Sequence, residues 1–420
     1  MAEQADTRAA LEVAVVGGSI AGCAVAIELA RAGCAVTLFE RSGEELKDRG
    51  AGIGVPAAVI DTLIARDLVD GDIARFPAPA FLRISRTAEA PDYGRLAWAQ
   101  PAVMLALNWG SLYRNLRRRV PDAVYRTRCQ VTDVRNLDDR RPRVVLADGR
   151  EHDFDLVVCA DGYASLGRRL LFPRATMAYA GYVLWRGALA EAALDDPAPL
   201  ERGIHALGYA GGHGIFYFVP GPDGGVARGR RLVNWGMYHP VPAAELTAFM
   251  TAADGTLHEG SLPPGAMPAA TEAGLKALAT RRLPRYYDAI VQRSQGTFAY
   301  AIYDCPVPGY RRGRVCLAGD AGAFARPHSG AGALKGMHDA IALGAAVAAA
   351  GQDGQALDAA LAAWDTERTA ENNRLVRFGQ QLGHAFVDAI PDWSGMDAAA
   401  MAAWYESVVT IPSDYLRVRG

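Results

Sequence analysis

The residues of this chain best suited to chemistry lie in three glycine-rich segments, each carrying a carboxylate. The first runs through Gly17, Gly18, Ser19, Ile20, Ala21 and Gly22, with Glu40 and Arg41 eighteen and nineteen residues beyond Gly22. Val13–Val16 are apolar enough for a buried parallel strand. Gly17 and Gly18 allow a tight turn, and Gly22 lets the following helix pack against that strand. The start of the helix offers unpaired backbone N–H groups to an anion, most naturally a pyrophosphate. Glu40 ends the next strand, where a carboxylate accepts hydrogen bonds from ribose hydroxyls and repels a 2′-phosphate. The pattern therefore predicts FAD or NAD rather than NADP. Ser19 stands where the usual pattern has its middle glycine, and its hydroxyl can itself donate to a phosphate.

The second segment is Asp161-Gly162, delivered by the apolar run Phe154–Cys159, with Ser165 and Arg168 on the first turns of a helix. The third begins at Gly319-Asp320 after the strand-like Arg314–Leu317. It continues through Pro327 to Gly330-Ala331-Gly332-Ala333, which opens an Ala-rich helix reaching about Ala349. Either aspartate alone reads as a helix N-cap. Their order behind a dinucleotide fingerprint marks a composite site.

The elements that must position these groups follow from periodicity. A βαβ unit runs to about Arg41, and residues 49–56 read as a Gly-rich loop before a helix over 56–66. Residues 124–134 and 144–146 read as a small antiparallel ribbon, turned at Asp148-Gly149. From about Met177 short strands dominate (182–187, 203–207, 214–219 and 231–238), and helices return over 243–252 and 270–279. The fold class expected is α/β. A Rossmann-like dinucleotide domain (1–76, 102–176 and 287–350) is interrupted by a mainly antiparallel β-sheet substrate domain (77–101 and 177–286), and a helical C-terminal region follows (351–420).

Bulk properties narrow the classes. A formal charge of −2 over 420 residues gives no attraction to nucleic acid or to an anionic membrane surface. The six cysteines show no C-x-x-C spacing and read as reduced thiols of a cytoplasmic protein. The eight histidines show no ligand spacing, so no metal is expected. Residues 1–10 lack an apolar signal core, and the Ala-rich stretch 340–350 is too short to span a bilayer.

Together the three segments resemble those of the FAD-dependent aromatic hydroxylases, flavoprotein monooxygenases of the para-hydroxybenzoate hydroxylase type. Tyr179–Gly187, Phe218–Asp223, Arg231–Trp235 and Arg326-Pro327-His328 resemble the 2,6-dihydroxypyridine hydroxylase branch. The resemblance implies that Gly17, Ser19, Gly22 and Glu40 hold the ADP half of FAD. It implies that Asp161 and Gly162 serve FAD and a passing NAD(P)H, and that Gly319 and Asp320 bind the ribityl and ribose hydroxyls. It extends the cofactor set to Gly52, Ile53, Arg114, Val131, Pro327 and residues 330–333. Two positions depart from the family pattern: Trp109 stands where an arginine often begins a helix, with Arg114 five residues on, and Leu334 stands where an asparagine often lies near the flavin.

The implied reaction is hydroxylation of an electron-rich aromatic or N-heteroaromatic ring by O2 through a flavin C4a-hydroperoxide, with NAD(P)H as reductant. The protein must then position the ring, exclude water and assist deprotonation of a ring hydroxyl. His213, Tyr217 and His328 are the candidates for polar contact with the substrate, while Trp185 and Arg186 read as structural. Alternation puts Ile215 and Tyr217 on one strand face and Val233, Trp235 and Met237 on one face of the next, without saying which face lines a pocket. The alternatives are an FAD-dependent oxidase, epoxidase or Baeyer–Villiger tailoring enzyme, and, from another class, a non-catalytic flavoprotein. Oligomeric state stays open, a homodimer being one reading.

Overall fold

The computed structural model describes residues 10–43 and 52–410. Residues 49–51 of the Gly-rich segment lie outside that range. Three sheets organise the chain. The first has six strands, in spatial order Arg311–Arg312, Val315–Leu317, Leu156–Cys159, Glu12–Val16, Ala35–Phe39 and Tyr125–Arg126. All pairs are parallel except the hairpin at the Arg311 edge. Val13–Val15, Leu156–Val158 and Val315–Leu317 have no exposed surface, as expected of a parallel sheet covered on both faces. The helix Ile20–Arg31 lies on this sheet and packs closely along the 19-residue helix Gly332–Ala350. Small residues set that approach: a Cβ on Gly336 would stand 2.7 Å from Ala21 Cβ, and one on Gly344 would stand 2.8 Å from Glu28 Cβ.

The second sheet has nine strands, in order Ser261–Leu262, Phe298–Asp304, Ala178–Ala190, Leu232–Pro240, Gly212–Val219, Ile204–Tyr209, Phe76–Ser85, Arg95–Asn108 and Gly52–Pro56. Residues 52–56, expected as a loop, are an antiparallel strand paired with Arg95–Asn108 through Gly52↔Asn108 to Pro56↔Met104. Residues 102–108 and 298–304, expected beside the nucleotide sheet, also pair in this one. These pairings join segments remote in sequence, and a Gly-Pro composition at a sheet edge hides the strand. The expected 124–134 ribbon divides as well. Tyr125–Arg126 extends the first sheet, Arg128 turns the chain with φ +54°, and Val131–Arg135 begins a three-stranded sheet with Arg143–Leu146 and Glu151–Asp153.

The nine-stranded sheet has one fully buried face. Trp185, Phe216, Trp235 and Met237 are at most 0% exposed and pack under the helices Ala269–Arg282 and Arg285–Arg293. Trp235 Nε1 donates to Ser294 Oγ at 2.8 Å. The register puts His213, Ile215, Tyr217, Asn234, Tyr238, Leu184 and Arg186 on the opposite face. That face meets the loop 327–331 and the end of the C-terminal region. There the 30-residue helix Gly354–Gly383 passes into a π-helical turn, His384–Asp388.

Candidate active site

The three Gly-rich segments converge because the strands before them are neighbours. Leu156–Cys159 lies beside Glu12–Val16 on one side and Val315–Leu317 on the other. Their C-terminal ends thus deliver Gly17, Asp161 and Gly319 to one edge, where ligands bind in open α/β sheets. The fit there is tight and backbone-made. Gly17 has φ +98°, and a Cβ on it would meet Ala160 O at 2.5 Å. A Cβ on Gly22 would lie 1.8 Å from Gly17 O, and one on Gly18 would lie 2.2 Å from the Tyr125 hydroxyl. That hydroxyl donates to Gly18 O at 2.9 Å.

Both helices that open onto this edge have uncapped N-termini. Ser19 stands at the N-cap of Ile20–Arg31 without a side-chain cap bond, and Ala331 stands at that of Gly332–Ala350. Nothing lies within 4 Å of a Cβ built on Gly332, so the second helix starts against open space. Glu40 is buried, accepting from Gly18 N–H at 2.8 Å and Ser42 N–H at 2.7 Å. Each of its oxygens keeps a lone pair for a ribose hydroxyl. A tight glycine turn, the helix start that follows it and a carboxylate at the adjoining strand end fit the pyrophosphate and ribose of a dinucleotide such as FAD.

The second and third segments are tied by a residue that sequence reading gave no role. Arg168, 3% exposed, donates through Nη1 to Asp320 O at 2.9 Å and Ala321 O at 3.2 Å, and through Nη2 to Tyr163 O. An arginine on the inner side of a six-residue helix, with no acid near it in sequence, was the available signal. Asp161 accepts from Ser165 Oγ and from Leu166 N–H at 2.6 Å, so its carboxylate organises the start of that helix. Gly319 has φ +60°, and a Cβ there would stand 2.7 Å from Ala21 Cβ, which brings the third segment against the first.

A buried ion pair beneath Asp320 also escaped the sequence. Lys335 and Asp339, both 0% exposed, lie one turn apart on the helix Gly332–Ala350. Lys335 Nζ donates to Gly319 O and stands 4.0 Å from Asp320 Oδ1 and 3.9 Å from Asp339 Oδ2. Asp339 accepts from Gly319 N–H at 3.0 Å and Asn372 Nδ2 at 2.8 Å. The pair therefore grips both polar groups of Gly319. Burial raises the Asp320 carboxyl above its ordinary pKa, and the Lys335 charge opposes that rise. Two charges on an otherwise apolar helical stripe were the sequence signal.

Of the remaining candidates, Gly330 meets the nine-stranded sheet at Gly54: a Cβ on Gly330 would lie 3.5 Å from Gly54 O. Gly52 N–H donates to Asn234 Oδ1 at 2.9 Å, and Ile53 follows it on the same edge strand. Arg114 donates to Ser111 Oγ at 3.1 Å on the helix Trp109–Arg117. Val131 begins the small sheet, and Arg41 is exposed just past Glu40.

His213, Tyr217 and His328 do not form a single cluster. The Tyr217 hydroxyl gives its proton to Gly52 O at 2.9 Å and so holds the edge strand, leaving only its lone pairs for another partner. His213 and His328 do come together, 5.4 Å apart between centroids and both stacked on Tyr238. His213 Nδ1 lies 3.2 Å from Phe386 O. His328 Nε2 lies 2.8 Å from the Tyr182 hydroxyl, which also receives Arg326 Nη1 at 3.2 Å. Arg326 is held in turn by Asp304. Arg326 donates to the Tyr182 oxygen, and among the described residues Nε2 is the acceptor within reach of the Tyr182 proton, so the hydroxyl is satisfied by donating to Nε2. Nδ1 of the neutral ring is then the protonated nitrogen, a buried donor without an acceptor among the described residues.

Burial lowers the pKa of His213 to about 3 and of His205, beneath the sheet, to about 4, and pushes that of His328 well below its usual value. These rings are neutral when folded and protonate near pH 6.5 when unfolded, so unfolding takes up protons below that pH. The stability they contribute is present above pH 6.5 and is lost as the pH falls toward 4, at up to about 1.4 kcal/mol per pH unit for each histidine. Urea midpoints measured from pH 7 to pH 4 should show this slope, and His213→Phe should make it shallower. An unchanged slope in the variant would show that His213 is not held neutral.

Residues 179–304 match the FAD binding domain-like family. The chain is 28% identical over 387 residues to 2,6-dihydroxypyridine 3-monooxygenase of Paenarthrobacter nicotinovorans, covering 90% of this chain and 89% of that one. The structure of 2,6-dihydroxypyridine-3-hydroxylase from Arthrobacter nicotinovorans superposes with a TM-score of 0.80 at 23% identity, covering 93% of this chain and 98% of the other. Klebsiella pneumoniae HpxO complexed with FAD and uric acid superposes with a TM-score of 0.70 at 21% identity, covering 97% and 95%. Among the described residues no helix is long and apolar enough to cross a membrane. With its three converging segments and its glycine cradle shaped for a dinucleotide, the chain is an FAD-dependent monooxygenase, similar over nearly its whole length to aromatic hydroxylases.

Proposed function

We propose that this chain hydroxylates a hydroxylated N-heteroaromatic ring of the dihydroxypyridine type, on the sheet face that carries Tyr182, Arg186, Asn234 and Tyr238. The observation that carries this reading is the placement of that face. Its edge strand Gly52–Pro56 touches the loop 327–333 at Gly54 and Gly330, so a ring on the face adjoins the cofactor space. When bound, FAD supplies a flavin that NAD(P)H reduces and that activates O2 for insertion of one oxygen atom.

The chain's own groups divide the remaining work. Gly17, Gly18, Ser19 and the N–H groups of residues 20–22 hold the pyrophosphate, Glu40 the ribose, and Asp320 the ribityl hydroxyls. Gly330–Ala333 present helix-start N–H groups to the negative edge of a reduced flavin ring. His328 Nδ1–H donates to the oxygen of the substrate ring, and the Tyr182–Arg326–Asp304 chain fixes the orientation of its imidazole. Tyr238 and Phe386 close the far side of the face against water. All six cysteines are free thiols, which supports a cytoplasmic location.

Incubation of the FAD-loaded protein with 2,6-dihydroxypyridine, NAD(P)H and 18O2 should yield a product carrying one labelled oxygen. A ring-expanded or epoxidised product would replace this reading with the tailoring chemistry. His328→Leu should keep its flavin and still consume NAD(P)H, while product formed per NAD(P)H consumed falls about tenfold. An unchanged ratio would remove His328 from the site.

A further inference from the structure

We propose that Arg186 selects an ionised substrate: its guanidinium, with the Asn234 amide beside it, holds the negatively charged oxygen of a deprotonated ring. Arg186 lies on the site face of Ala178–Ala190, opposite Gly236. It is half-buried, and the absent side chain at Gly236 leaves its stem uncovered, since a Cβ there would stand 3.6 Å from Arg186 Cγ. Among the described residues its Nη2 alone is engaged, with Gly52 O at 3.1 Å and Asn234 Oδ1 at 3.2 Å.

Among the described residues no carboxylate pairs with it. By contrast, Arg231 and Arg326, also on the nine-stranded sheet or packed against it, are neutralised by Glu191 and Asp304. Asn234 adds a second signal. It is 2% exposed, and its Oδ1 accepts from both Gly52 N–H and Arg186, which fixes the orientation of the amide. Its Nδ2 is then a buried donor with no acceptor among the described residues. A guanidinium without an acid and an amide without an acceptor, side by side, fit an anionic oxygen.

The positive field reaches the ring space. Arg186 opposes the upward pull of burial on the Tyr217, Tyr238 and Tyr300 hydroxyls. It acts likewise on a bound ring hydroxyl, whose proton leaves to bulk water as the anion is taken up. The anion is richer in electron density at the carbons ortho and para to its oxygen, where an electrophilic oxygen adds. The inference rests on the proposed ring hydroxylation for its substrate, but not for its charge preference.

The test uses the FAD-loaded protein at pH 8 and flavin difference spectra to measure dissociation constants. One ligand pair is 2,6-dihydroxypyridine, as its anion, and the neutral isostere 2,6-diaminopyridine. A second pair, benzoate and benzamide, is independent of the substrate reading. The parent should prefer the anion of each pair. Arg186→Met should weaken anion binding about 10- to 100-fold and leave the neutral ligand within about twofold, while Arg186→Lys should retain part of the preference. Equal losses for anion and neutral ligand in Arg186→Met would mean that the arginine acts only by bracing Gly52, and would overturn the proposal. If neither heterocycle binds but benzoate still shows an Arg186-dependent preference, the ring assignment fails and the charge selection stands. If the parent shows no anion preference in either pair, the charge selection fails.

Discussion

A Gly22→Ala variant should purify without flavin. The added methyl would lie 1.8 Å from Gly17 O, a backbone atom in the turn that receives the pyrophosphate, so either the helix or the turn has to move. Overpacking of this kind costs about 1–3 kcal/mol in stability. It also displaces N–H donors whose value to an anion depends on their position, so affinity for FAD should fall at least about 100-fold. Quenching of FAD fluorescence on titration measures this. The matched control is Gly274→Ala in the helix Ala269–Arg282, where nothing lies within 4 Å of the new Cβ. That change should leave FAD binding intact and raise stability by up to about 1 kcal/mol. If Gly22→Ala binds FAD as the parent does, the cradle is not where the pyrophosphate sits.

The second large effect concerns the buried pair under Asp320. Lys335→Met leaves Asp339 fully buried without its cation and releases the carbonyl of Gly319. Breaking a buried pair from one side costs about 3–5 kcal/mol. Urea denaturation should show a loss of that size, and FAD should dissociate readily because Gly319 and Asp320 are no longer held. The double variant Lys335→Met, Asp339→Asn removes both charges and should recover part of the stability. It should recover less of the FAD affinity, because Gly319 O still lacks its donor. A single variant within about 1 kcal/mol of the parent would show that the charges are not interdependent.

Much of the cofactor half was legible in the sequence, because its signals are local. Strand, turn, helix and acid lie within Val13–Glu40, and the strands ending at Asp161 and Gly319 are short apolar runs before a Gly-Asp or Asp-Gly pair. The substrate half was legible in outline only. Alternation put Trp235 and Tyr217 on defined strand faces. What decided between those faces was the arrival of the helices Ala269–Arg282 and Arg285–Arg293 on the Trp235 side. Tyr217 read as a ligand for substrate because a tyrosine at a pocket edge has a free hydroxyl. The hydroxyl is taken by Gly52, 165 residues away in sequence, through a strand that read as a loop. Lys335, Asp339 and Arg168 were hidden for the same reason, since their partners lie on other segments and side-chain type alone does not reveal burial.

The chain passes back and forth between the two large sheets. It leaves the six-stranded sheet after Phe39, returns at Tyr125, leaves again after Cys159 and comes back at Arg311. Neither sheet is a separable module in the linear order of the polypeptide. A cut between Arg126 and Leu156 would leave both layers with missing strands, and exchanging the block 178–304 between relatives would part it from the three remaining strands of the nine-stranded sheet, Gly52–Pro56, Phe76–Ser85 and Arg95–Asn108. New specificity in such an architecture is more readily reached by changing individual side chains on the Arg186 face than by recombining segments.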